Sequence, residues 1–365
     1  MRLLTMGLPE KLAELEVEYS RTQKNKATEV HLGLLKAKIA KLKRDIEAGV
    51  GGKKAGSGGF DVKKSGNASV VLIGLPSVGK STILNALTSA KSKIAQYAFT
   101  TLTCIPGTMK YKGAVIQILD LPGIIAGARE GKGRGKEVLA VARKADLVLL
   151  ILDVFQPHFR EKLVEELAGI GVRLDQKPPN ILVTRTSSGG ITINYDKKPT
   201  HLNDRIISSI LNEYGIFSAE VAVRQDATVD QFIDVLLGNR TYAASLTVMN
   251  KIDLVKPEFL KALDFPFVAV SADRNIGVDE LKEAIFKKLC LIRVYTKSRF
   301  EDANEIPLMM PEGTTVLQAC DKIHRNLKDE FKSARVWGPS AKHPGQKVGA
   351  HHVLKDGDMV YIEKK

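Results

Sequence analysis

With 365 residues the chain is long enough for two or three domains, and its 44% apolar and 26% charged residues exclude wholesale disorder. Lys and Arg number 55 against 41 Asp and Glu, a formal charge of +14 that favours acidic or nucleic-acid partners. The longest apolar run, Leu147 to Leu152, is too short to span a bilayer, no signal-like apolar stretch follows Met1, and Cys104, Cys290 and Cys320 form no CxxC pair, so a cytoplasmic, reducing setting without membrane, disulfide framework or zinc site is expected.

In chain order, the first element is basic. From Arg21 to Arg44 eight cations face a single acid, Glu29, so this stretch alone carries +7. Leu8, Leu12, Leu15 and Tyr19, then Leu32, Leu35, Ile39, Leu42 and Ile46, recur at steps of three and four, which predicts helices over 9–22 and 27–48 broken near Gln23 to Asn25. Two readings of the lysine-rich face stay open: a solvated face, or a contact surface for RNA through Lys36, Lys38, Lys41, Lys43 and Arg44. Six glycines between Gly49 and Gly59 make a linker, so residues 1–60 read as a helical hairpin with its tether. Alternating strand and helix patterns from 61 to about 290 imply a mainly parallel α/β sheet. Asp120 and Asn250 lie 130 residues apart, where two βα units need about 60, so roughly 70 residues are inserted. Residues 173–240 are the span expected for that insert, with strands at Ile181–Thr184, Ile191–Tyr195 and Ala219–Val223 and a helix over Leu202–Tyr214. The tail, 291–365, reads as a small α+β unit: a strand at Ile292–Thr296, a helix carrying Val316, Ala319, Cys320, Ile323 and Leu327 on one face, and strands near Ala334–Trp337 and Met359–Ile362.

The chemistry lies in the α/β region. Gly74-Leu75-Pro76-Ser77-Val78-Gly79-Lys80-Ser81-Thr82 fits G-x-x-x-x-G-K-[ST] between a strand and a helix. Its glycines let successive backbone N–H groups turn toward one anion, and the helix N-terminus adds its dipole. Lys80 brings a point charge to the β- and γ-phosphates, and the Ser81 hydroxyl is a Mg2+ ligand. A strand ending at Asp120 precedes Leu121-Pro122-Gly123, where the carboxylate holds the metal through water and the Gly123 N–H meets the γ-phosphate. Phe99-Thr100-Thr101 offers hydroxyls for a second metal ligand. Asn250-Lys251-Ile252-Asp253 follows another strand, and a carboxylate at Asp253 accepts from both the ring N–H and the exocyclic amine of guanine, donors that adenine lacks there. Ser271-Ala272 ends a further strand with residues small enough for a base to pack closely. Together these predict a guanine-nucleotide domain in which Lys80, Thr101 and Gly123 carry catalysis.

These motifs resemble the Obg branch of translation-factor-type GTPases. Over the whole chain, including Thr22-Gln23-Lys24-Asn25-Lys26-Ala27-Thr28, the glycine-rich Gly127 to Gly135 and the tail from Ile292, the sequence is similar to the developmentally regulated GTP-binding proteins, nearest their second eukaryotic paralogue group. The resemblance implies an Obg-type P-loop G domain, an inserted subdomain like the second domain of a small-subunit ribosomal protein, and a C-terminal TGS domain of β-grasp shape. It further implies Ser81 and Thr101 as Mg2+ ligands, ribosome-associated work in translation, and a DFRP-type partner protein.

One position departs from the usual chemistry. Many GTPases follow Asp-x-x-Gly with a glutamine that orients water, whereas here Ile124 stands next. Slow intrinsic hydrolysis is expected, with water positioned by K+, the ribosome or a partner. Potassium-dependent relatives carry asparagine where this chain has Ser77. The open alternative is a nucleotide-bound scaffold on RNA or protein with little turnover. Arg129 and Arg134 read either as phosphate or rRNA contacts or as exposed loop charges, and His351-His352 as a solvated turn.

Overall fold

The structure, a computed structural model, describes residues 7–25, 27–49, 66–88, 95–96, 103–121, 141–142, 145–197, 199–238, 240–297, 306–324 and 327–364. In chain order these form α1 (Leu8–Arg21), α2 (Glu29–Gly49), β1 (Ala68–Gly74), α3 (Lys80–Leu87), β2 (Ala95–Gln96), β3 (Thr103–Tyr111), β4 (Ala114–Asp120) and β5 (Leu147–Asp153). Then come α4 (Phe159–Gly169), β6 (Val172–Leu174), β7 (Ile181–Arg185), β8 (Ile191–Tyr195), α5 (Asp204–Glu213), β9 (Ala219–Val223), α6 (Val229–Leu237) and β10 (Thr241–Asn250). The remainder is α7 (Pro257–Lys261), β11 (Val268–Ala269), α8 (Val278–Lys288), β12 (Leu291–Thr296), β13 (Leu308–Pro311), α9 (Val316–Ile323), β14 (Phe331–Trp337), β15 (Gln346–Val348) and β16 (Asp358–Lys364).

Two compact units divide the chain. One takes in the described residues of Met1–Gly59 with Gln176–Tyr242, the other those of Phe60–Asp175 with Ala243–Lys365. In the larger unit the sheet order is β11-β10-β5-β1-β4-β3-β2, with β6 beside β10. β1 pairs in parallel with β4 and β5, and β10 with β5 and β11, whereas β3 and β4 form an antiparallel hairpin. β1 and β5 are buried along their whole lengths, which explains their unbroken apolar sequences: a parallel strand covered on both faces needs no alternation. Val70 and Leu72 join one core with Ile83, Leu84, Leu281 and Ile285, while Val71 and Ile73 join another with Leu163 and Leu167. The strands therefore converge on one edge, where the loops after β1, β4, β5 and β10 carry the candidate chemistry.

The tail forms a five-stranded sheet, β13-β12-β16-β14-β15, with α9 packed on one face through Val316, Ala319 and Cys320. Thr315 caps α9, its hydroxyl accepting from the Gln318 N–H. The helix stops at Ile323, short of the predicted run to Leu327, yet Leu327 still packs on the same core. β13 and β15 escaped sequence reading because each is only three or four residues long.

In the smaller unit, Asn25 Oδ1 accepts from the Thr28 N–H at 3.0 Å and Thr22 Oγ1 donates to the Glu18 carbonyl at 2.7 Å, building the turn between α1 and α2. The insert contributes a sheet ordered β7-β9-β8 with α5 and α6, capped by Asn203 and Thr228. Its core includes Ile206, Ile207, Ile210, Val221 and Phe232, and it also takes in Ala37 of α2. A Cβ on Gly33 would lie 3.4 Å from Ile206 Cγ2. The small residues Gly33, Ala37 and Ala40 thus let α2 lie close to the insert, on a face separate from the leucine stripe. β6, at the start of the span expected for the insert, pairs with β10 and belongs to the large sheet instead.

Candidate nucleotide site

The phosphate loop leaves β1 at Gly74, where a Cβ would strike the Ile151 carbonyl of β5. Ser77 (φ 63°) and Gly79 (φ 92°) both take left-handed backbone, turning the chain so that it enters α3 at Lys80. At Gly79 a Cβ would collide with the Asn250 side-chain amide, so glycine is required by approach as well as by φ. Buried Lys80 donates through Nζ to the Gly74 and Leu75 carbonyls at 3.0 and 2.8 Å. Burial pulls its pKa down, with the Asp120 charge acting in the opposite sense.

Asn250 joins two loops. Its Nδ2 donates to the Val78 carbonyl at 2.9 Å, and its Oδ1 accepts from the Ala272 N–H at 3.2 Å. Lys251, also left-handed at φ 63°, reaches the Ser77 carbonyl at 2.9 Å and pairs with Asp153 at 3.2 Å. The Ser271 loop is closed by reciprocal backbone bonds with Ile276, and Gly277 permits the close pass behind Ala269. Asp253 sits beside this loop; its nearness to Ser271, its own backbone N–H and Arg274, its ion-pair partner at 3.2 Å, hold the carboxyl below its ordinary range. Asp253 is therefore ready to accept hydrogen bonds as a carboxylate.

Ser81 Oγ donates to Asp120 Oδ2 at 2.7 Å, and buried Asp120 Oδ1 has no hydrogen-bond partner. A buried, unpartnered carboxylate oxygen next to a hydroxyl is an all-oxygen donor set suited to a hard divalent ion, so these residues fit Mg2+. Of the predicted site, Gly74 to Thr82, Asp120, Leu121, Asn250, Lys251, Asp253, Ser271 and Ala272 are described. Phe99, Thr100, Thr101, Pro122, Gly123, Ile124, Arg129 and Arg134 lie outside the described residues.

Sequence reasoning missed Asp153 and Arg274. Asp153 had a signal, since it ends β5 at the same strand edge as the phosphate loop; Arg274 had none, because only the Ser271–Ile276 closure brings it to Asp253. The hairpin cations behave differently from a free basic face. Lys36 donates to Asp230 at 2.6 Å, Lys41 to the Glu213 carbonyl at 2.6 Å, and Lys43 pairs with Glu16 at 2.8 Å. No described acid pairs with Lys38 or Arg44. His352 is tied to Ser340 at 2.9 Å, and no group of three or more metal-ligating side chains is found among the described residues. None of the described helices is long and apolar enough to cross a membrane.

A glycine loop entering a helix, a lysine and serine at its mouth, a carboxylate across from them and an Asn-Lys-x-Asp loop locked to it by Asn250 define a P-loop GTPase, here followed by a small β-sheet domain. Residues 69–185 match the family described as "50S ribosome-binding GTPase", 188–291 the "C-terminal region of MMR_HSR1 domain", and 292–364 the "TGS domain". Developmentally-regulated GTP-binding protein 1 of Xenopus laevis is 47% identical over 365 residues, covering 98% of this chain and 100% of that protein. Developmentally-regulated GTP-binding protein 2 of Bos taurus is 46% identical over 368 residues, covering 99% and 100%. The chain belongs to the family of developmentally regulated GTP-binding proteins. The two numbered groups stand at near-equal identity to the chain, and the expected leaning toward the second rests on the sequence resemblance alone.

Proposed function

We propose that the protein binds GTP with Mg2+ and hydrolyses it slowly, acting as a cytoplasmic switch associated with the ribosome or its RNA in translation. The observation that carries the reading is the Asn250 bridge, which fixes the phosphate loop at Val78 relative to the guanine-reading loop at Ala272. Lys80 exchanges the two loop carbonyls for β- and γ-phosphate oxygens. Asp253 exchanges Arg274 for the guanine edge, and adenine would leave the carboxylate without a donor. Ser81 and Thr101 would hold Mg2+, with Asp120 acting through water, and the metal would neutralise charge on the phosphate oxygens. Gly123 meets the γ-phosphate, which makes its loop responsive to hydrolysis. Similarity to a family described as ribosome-binding supports the ribosomal partner, and the family resemblance supports a DFRP-type partner protein. Among the hairpin cations proposed for RNA, Lys38 and Arg44 have no described acid partner.

Ile124, standing where a water-orienting glutamine is common, favours a second reading: a nucleotide-bound scaffold with little turnover. Steady-state GTP turnover in potassium against sodium, with Lys80→Ala as blank, separates the two. Turnover above the blank that rises in potassium supports the enzyme and a K+ site at Ser77. Turnover above the blank and indifferent to the cation keeps the enzyme but removes that site. Turnover at the blank level in both salts favours the scaffold. For the base, Asp253→Asn is expected to lose guanine preference by at least about tenfold and to gain xanthine nucleotides in competition binding. An unchanged preference would remove Asp253 from base recognition.

A further inference from the structure

The carboxylate proposed to read guanine carries a cation from its own chain. Arg274 Nε lies 3.2 Å from Asp253 Oδ2, and the arginine side chain is 65% exposed where that of the aspartate is 12% exposed. The backbone beneath Arg274 is pinned. Ser271 and Ile276 exchange N–H···O=C bonds of 2.9 and 3.0 Å, and Asn275 takes left-handed backbone at φ 56°. Gly277, at φ 73°, passes so close behind Ala269 that a Cβ would strike the Ala269 carbonyl. The Ile252 N–H donates to the Val270 carbonyl at 3.3 Å and the Ala272 N–H to Asn250 Oδ1 at 3.2 Å, so the turn is tied to the loop that carries Asp253. The other cation of that loop, Lys251, is turned to the Ser77 carbonyl and Asp153, which leaves Asp253 to Arg274.

Guanine offers its ring N–H and exocyclic amine side by side, and a carboxylate answers them with both oxygens at once. A guanidinium on Oδ2 takes one of those acceptors, so base and arginine are alternative partners of one group. A largely buried carboxylate left with neither would lose its hydrogen bonds, and a side chain anchored beside it supplies the replacement as the base lifts away. We infer that Arg274 is an internal competitor for guanine that sets how tightly the protein holds its nucleotide. It lowers the affinity for GDP and GTP alike, and leaves the choice of base to Asp253. This rests on the guanine-reading role proposed for Asp253 and adds to it a residue outside the nucleotide motifs. An ion pair with so exposed a partner outweighs its open form by a factor of only about 1.4 to 5. Because only the open fraction accepts the base, the competition weakens nucleotide binding about two- to sixfold.

The test is equilibrium binding of ribose-labelled fluorescent GDP to the full chain, the label leaving the base edge free. Arg274→Ala should tighten binding about two- to sixfold, and Arg274→Gln, equally neutral and closer in length, should do the same. The sign is decisive, since loss of a merely structural contact would loosen the loop and weaken binding. In an Asp253→Asn background, read with xanthosine diphosphate, no carboxylate remains to compete for, and Arg274→Ala should change affinity by less than about twofold. Unchanged or weaker GDP binding in the folded variants would overturn the competitor while leaving the guanine reading standing. Equal tightening in the Asp253→Asn background would do the same, because the gain would not come from the pair. Displacement of labelled GDP by ADP as readily as by GDP, or failure of Asp253→Asn to take xanthosine diphosphate, would overturn the guanine reading and the competitor with it.

Discussion

α2 and the TGS sheet are both rich in cations, yet they direct them in opposite senses. On α2, Lys36 and Lys41 meet acids or carbonyls 194 and 172 positions away in the chain, and Lys43 meets Glu16 on α1. On the TGS sheet, no described acid pairs with Lys332, and Arg335 is held in place by Glu363 among aromatic rings. The difference follows from the elements that carry them. A helix packed on two sides, through its leucine stripe and through Gly33, Ala37 and Ala40, brings most of its long side chains within reach of neighbouring acids. A strand covered on one face sends every second residue to the other, where no further element need answer it. A charge run therefore counts cations without saying which way they point.

The strongest way to break this comparison is to unseat α2. Ala37 is fully buried in the insert core, and Gly33 approaches Ile206 closely. Ala37→Leu would force three extra heavy atoms between α2 and α5, an overpacking cost of about 1–3 kcal/mol. Urea unfolding of the full chain should show a lower midpoint for the transition that includes this unit. A change below that produced by removing the Lys36 ion pair would mean that α2 is held loosely, and its cations would then be free for other partners.

Much of this was legible in the sequence for definite reasons. The unbroken apolar runs of β1 and β5 announce strands buried on both faces, and Ala219–Val223 in the insert was bounded to the residue by its alternation. The site motifs were legible because the phosphate loop and the Asn250 loop are local geometries that few residues satisfy. Three things were not. The strand expected to end at Ser271-Ala272 stops at Ala269 instead, since Ser271 turns back to bond Ile276. The joining of hairpin and insert rests on Gly33 and Ala37, whose small size reads as helix filler until Ile206 is found opposite. The pairing of Lys36 with Asp230 depends on tertiary approach, which periodicity within one helix does not encode.

The smallest expected effect tests that pairing itself. Burial opposes the Lys36 charge, but Asp230 outweighs it and raises the pKa above the ordinary lysine value. A raised folded-state pKa adds stability that is fully present below the unfolded value near 10.4 and is lost as pH rises through the folded one, so the pair should be insensitive to pH between about 6 and 9. The lysine side chain is 30% exposed and the aspartate 58%, so solvent screens the attraction. Lys36→Ala is accordingly expected to cost only about 0.2–1 kcal/mol in urea unfolding, and to leave the salt dependence of ribosome co-sedimentation unchanged. Reversal of Lys38 and Arg44, which lack described acid partners, should flatten that dependence instead. If Lys36→Ala flattened it as much as reversal of Lys38 and Arg44 does, the charge on α2 would be turned outward after all, and the contrast between helix and sheet would fail.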